Sequence, residues 1–149
     1  MEKETNAATL KLLEAMYKNV RMGADSIIDI MPKVADEKLR EELTSELERY
    51  EEFSKEIKNS IFNMGEEAKD QGILAKVGTK MSVAMNTMID STVSHIAEMM
   101  IQGGTMGITD ATKLLREYEN TSCSKEALDI ARRIIKYEEE TVERLKKFL

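Results

Sequence analysis

One cysteine, one proline and one histidine occur in the whole chain, and tryptophan is absent. Each scarcity excludes something. A lone Cys123 cannot form an intramolecular disulfide or a thiolate metal cage. A lone Pro32 leaves long stretches free to be helical. A lone His95 rules out every site that needs two imidazoles. Aromatics are only 5% of the residues, so leucine, isoleucine, alanine and methionine must fill the interior. No long apolar run is present, and the charged start, Met1 to Thr5, leads into an amphipathic segment, so neither a signal peptide nor a membrane span is expected. The expected location is cytoplasmic. Basic residues are too few and too scattered to offset a net charge of −6, which argues against nucleic acid as a partner.

What is present is helical periodicity. A chain of 149 residues, 42% hydrophobic and 34% charged, suits one soluble domain with sharply divided faces. Leu10, Leu13, Tyr17, Val20, Ala24, Ile27 and Met31 alternate spacings of three and four, which predicts a helix over 6–31. Pro32 should stop it. Asp36 can cap a second helix over 36–64, with Leu39, Leu43, Leu47, Tyr50, Ser54, Ile57, Ile61 and Met64 on its stripe. The link between Gly65 and Thr79 reaches roughly 46 Å if fully extended, against a second segment about 43 Å long. Its length leaves open a crossover or a generous hairpin loop. It contains Gly72 and Gly78, with Ile73, Leu74 and Val77 to pin it. A third helix over 79–119 carries Met81, Met85, Met88, Thr92, His95 or Ile96, Met99, Gly103 and Met106 inward. Ser124 can cap a fourth over 124–149, with Leu128, Ala131, Ile135, Glu138, Val142, Leu145 and Leu149 on its stripe. The expected fold is an all-α four-helix bundle in a single domain, 1–149.

Bundles often hold metals between facing helices. A dinuclear carboxylate site needs Glu-x-x-His on two of them, since residues three apart point the same way. The sequence has none. Its echoes are Thr92-Val93-Ser94-His95, Glu46-Leu47-Glu48-Arg49 and Glu138-Glu139-Glu140-Thr141. Four amphipathic helices, a long second connection and Glu138 on the last stripe make the chain resemble the ferritin-like superfamily, and more narrowly bacterial ferritin-like bundles without the metal ligands. The resemblance covers nearly the whole chain as architecture. It implies an up-down pair, a long crossover between helices 2 and 3, and a second antiparallel pair; a simple up-down-up-down bundle is the alternative. It does not carry over oxidase or iron-storage activity.

The remaining candidates are weighed residue by residue. His95 reads as a neutral histidine bonded to a neighbour, or as a ligand with Glu98 one turn away. His95 and Met99, extended by Met81, Met85 and Met88, could suit a soft metal; inward methionines otherwise serve as adaptable filler. Gly103 and Gly107 share a face, and each costs about 1 kcal/mol relative to alanine, so a tyrosine such as Tyr17, Tyr50 or Tyr137 is expected across them. Glu138 needs a partner (Arg21, Arg49, Lys80 or His95) or a proton. Cys123 is expected in an exposed loop. No nucleophile–base pair, phosphate loop or nucleotide fingerprint appears. The resulting expectation is a non-enzymatic interaction protein without a cofactor, a homo-oligomer, with a protein partner or small apolar ligand. The alternative is a metal-binding or redox bundle with a single transition-metal ion at His95, Glu98, Met99 and Glu138.

Overall fold

The computed structural model of the protein describes residues 2–66 and 90–149. Within them stand four α-helices and no strand: α1 (Glu2–Ile30), α2 (Glu37–Asn63), α3 (Val93–Tyr118) and α4 (Lys125–Leu145). Short 3-10 turns, Met31–Lys33 and Lys146–Phe148, follow α1 and α4. No described helix is long and apolar enough to cross a membrane.

Most helix ends have a local cause that the sequence displays. α1 gives way to the turn containing Pro32, which has no amide proton to continue the ladder. Asp36 caps α2, its carboxylate accepting the Leu39 N–H at 2.9 Å. Ser124 caps α4, accepting the Ala127 N–H at 3.2 Å. Past the end of α2, Gly65 adopts φ +80°. Its N–H donates to the Phe62 carbonyl while Glu66 N–H donates to that of Ile61, a closing pair that needs a left-handed residue.

The start of α3 differs from expectation. Residues 90–92 are not helical, so a helix continuous from 79 is excluded. Thr92 is extended, with ψ 152°, and its hydroxyl accepts the His95 N–H at 3.3 Å. Asp90 in turn accepts the Thr92 N–H at 2.9 Å. Two side chains thus satisfy amides that would otherwise be orphaned, and a helix begins there. The expected helical stretch 79–89 with Met81, Met85 and Met88, and the link from 67 to 80 with Gly72, Ile73, Leu74, Val77 and Gly78, lie outside the described residues.

α1 and α2 pack as an antiparallel pair bridged by Arg21 and Glu51 at 2.8 Å. α3 and α4 form the second pair, and the pairs meet with α1 on α3 and α2 on α4. Ser60 donates to Glu126 at 3.0 Å, Arg133 pairs with Glu56, and Arg144 meets Glu42 at 2.9 Å. These contacts run α2 and α4 past each other in opposite directions. The Thr9 hydroxyl accepts the Ser124 N–H at 2.9 Å, so α1 and α4 begin at the same end.

The core is the apolar stripe of each helix, including Leu13, Val20 and Ile27 of α1, Leu39, Leu43 and Ile57 of α2, and Ala131 and Leu145 of α4. In α3 the buried positions are Ile96, Ala97, Met100 and Ala111; of the expected pair His95 or Ile96 it is Ile96 that faces inward, and Met100 takes the place expected for Met99. Met106 is consequently 68% exposed. Leu149 is also exposed, because the 3-10 turn after α4 packs Phe148 against the core instead. Cys123 is half-buried against the core rather than exposed.

Candidate functional site

Two of the helices, α1 and α3, bring glycines to one level. α1 contributes Asn19 and Gly23, and α3 contributes Gly103, Gly104 and Gly107. Residues four apart share a helix face, so two bare backbones confront the bundle interior. Side chains close only part of the gap. Tyr50 of α2 lies across Gly23, where an added Cβ would stand 2.8 Å from its Cζ. The ring is held from behind by Tyr137, edge-on with centroids 5.9 Å apart. Thus a tyrosine does cover a glycine, but on α1. Gly104 is faced by Val142, and a Cβ on Gly107 would sit 3.3 Å from Glu138 Oε2.

What remains is a cavity of about 100 Å³, walled by Met22, Ile27, Met100 and Leu145. Met106 and Asp110, both exposed, also line it, which sets its mouth between α1 and α3. No lysine, arginine or histidine lines it among the described residues.

Two carboxyl groups enter from the neighbouring helices α2 and α4, Glu46 at 1% exposure and Glu138 at 3%. Burial pushes Glu138 up to about 8, with no countercharge to oppose it. Burial likewise pushes Glu46 up to about 9, reinforced by the charge and hydrogen bond of Glu42 and partly opposed by Arg144. Both are therefore largely protonated at neutral pH. Arg144 is engaged elsewhere, donating to Glu42 and to the Thr141 hydroxyl, each at 2.9 Å. Asn19 Nδ2 donates to the Gly107 carbonyl at 3.0 Å, a cross-helix bond that the bare glycine admits. Oε2 of Glu46, Oε2 of Glu138 and Oδ1 of Asn19 are buried without a hydrogen-bond partner.

None of the described partners expected for Glu138 reaches it. Arg21 is taken by Asp25 and Glu51, Arg49 by Glu52 and the Phe53 ring, and His95 by Glu98. Lys80 lies outside the described residues. The expected metal set is likewise divided. His95 Nδ1 and Glu98 Oε2 are 3.9 Å apart, on side chains 37% and 57% exposed, and Met99 is half-buried beside them. Gly107, which faces Glu138, lies about 18 Å along α3 from His95 at 1.5 Å per residue. Among the described residues, no three His, Cys, Asp or Glu side chains gather closely enough to hold a metal ion.

Glu46 is the site residue that periodicity underread. The stripe after Leu43 can pass through either 46 or 47 before Tyr50, and the apolar Leu47 is the obvious choice. The signal was the echo motif itself, because Glu46 and Glu138 each head a truncated Glu-x-x-His. No family model, curated protein or solved structure matches the chain.

Proposed function

We propose that the protein is a non-enzymatic, ferritin-like bundle that binds a small molecule in its central cavity. The helix directions support the ferritin-like part. α2 ends beside the start of α4, and α3 also ends there through the short loop into α4. On this reading α2 and α3 run the same way, the arrangement expected of a ferritin-like bundle. An up-down-up-down bundle would instead set α1 and α4 antiparallel, against the Thr9–Ser124 contact. Glu46 and Glu138 converge at mid-bundle, but Arg49 and Thr141 stand where each motif would need its histidine. The result is an acid-lined chamber rather than a ligand set.

The observation that carries the binding reading is the cavity, with apolar walls and three unpaired polar atoms. An apolar cavity of ~150 Å³ accommodates benzene, so about 100 Å³ open on one side suits a short-chain organic molecule. Buried polar atoms without partners are uncommon and call for a reason; a guest that satisfies them is one. The test is a thermal-shift titration with three probes of equal length: n-butanol, n-butylammonium and butyrate. At least one should raise the melting temperature of the wild type saturably, and not that of Gly107→Leu, whose side chain would fill the space. No saturable shift with any of the three would overturn the reading.

A further inference from the structure

Resting on that cavity reading, we propose that the guest is a primary ammonium ion on a short apolar body, with Glu138 as its anchor and Glu46 and Asn19 as the other acceptors. Three buried oxygens on three different helices face one space and none has a donor. A primary ammonium group carries three N–H donors and no acceptor. A carboxylate guest could accept the Glu138 proton but would bring acceptors to the oxygens of Glu46 and Asn19. An alcohol would bring a single donor. The ionisable groups point the same way: all that line the cavity are acids or phenols, Glu46, Glu138, Tyr50 and, at the mouth, Asp110, without a basic residue among the described ones. Met22, Ile27, Met100 and Leu145 then receive the hydrocarbon part.

The two acids have unequal roles. Glu46 is hydrogen-bonded to Glu42, which Arg144 holds at 2.9 Å, so its proton is already engaged. Glu138 is held neutral by burial alone, and an adjacent cation favours its ionised form. Binding at pH 7 should therefore transfer the Glu138 proton to solvent, leaving a carboxylate–ammonium pair with charge-assisted hydrogen bonds. The ionisable groups around this site are Glu46, Glu42 and Tyr50 from α2, Asp110 from α3, and Tyr137 and Arg144 from α4; the cavity wall supplied by α1 has no ionisable side chain. Affinity should rise from pH 6 to pH 8 as the proton becomes easier to release.

Isothermal titration calorimetry with n-butylammonium chloride, in two buffers of different ionisation enthalpy at pH 7, reads affinity and proton release together. The expected result is saturable binding with release approaching one proton, and n-butanol and butyrate weaker by about ten-fold or more. Glu138→Gln keeps the shape and the neutral charge that the group has at pH 7. It should fold normally by circular dichroism, lose about ten-fold or more in affinity and release no proton. Tighter binding of n-butanol than of the ammonium ion overturns the proposal while leaving the cavity reading intact; silence from all three probes overturns both. Stoichiometric binding of zinc or manganese that displaces n-butylammonium and depends on Glu138 also overturns it.

Discussion

A carboxyl group that stays protonated in the folded chain and ionises in the unfolded one makes stability depend on pH. Glu138 and Glu46 are raised to about 8 and about 9, while an unfolded glutamate titrates near 4.3. Between these values the native state binds the extra protons, so stability falls as pH rises and levels off once the native acids ionise. Each group contributes a slope of about 1.4 kcal/mol per pH unit in that window. Urea melts at pH 5, 6 and 7 should show Glu138→Gln losing less stability with pH than the wild type, by up to that slope; parallel curves would show that Glu138 is not held neutral. Two glycines give a second contrast. Gly23→Ala drives a methyl against the Tyr50 ring, which is wedged by Tyr137. Overpacking typically costs 1–3 kcal/mol, here roughly the same range less the ~1 kcal/mol alanine gains in a helix. Gly107→Ala meets the Glu138 carboxyl at 3.3 Å, which borders open space and can move aside, and the Asn19 amide at an ordinary contact of 3.8 Å. It should be neutral or stabilising by up to about 1 kcal/mol. The ordering of the two melting temperatures checks both. Glu138 was legible as a charge on an apolar stripe; Gly23 was not, because nothing in α1 signals which tyrosine will lie on it.

Helix ends were readable where a side chain made the cap and breaker residues stood nearby, as at Pro32, Asp36 and Ser124. Replacing Asp36 by alanine should cost about 0.5–2 kcal/mol, the usual range for a lost N-cap, visible in denaturant melts; no change would mean that its bond to Leu39 N–H contributes nothing. The phase of α3 was harder to read. Met99, Met100 and Ile101 are three apolar residues in succession, and Gly103, Gly104 and Gly107 offer no side chain to mark inside from outside. The stripe could be drawn one residue off, which left His95 and Ile96 as alternatives and drew Met99 and Met106 inward. α4 has no such ambiguity; the stripe fails only at Leu149, beyond the helix and its terminal turn. Leu145 is 1% exposed and Leu149 59%, so Leu145→Ala should cost about 2–5 kcal/mol and Leu149→Ala no more than about 0.5 kcal/mol. Equal effects would refute the boundary between helix and terminal turn.

At the scale of the molecule, four amphipathic stripes were enough to announce a four-helix bundle, since each must bury its apolar side against the others. The chamber was beyond that level of reading. It arises from the level at which Gly23 meets Gly103, Gly104 and Gly107, and relative height between helices leaves no mark in a one-dimensional pattern. The lack of tryptophan noted at the outset also has a practical consequence here. The near-ultraviolet spectrum belongs chiefly to four tyrosines, and one of them, Tyr50, forms part of the chamber wall. Its ring is fixed edge-on to Tyr137, and burial holds its phenol well above the ordinary value. The protein therefore carries its own optical gauge: dichroism near 280 nm should register a guest entering the chamber, without any label attached.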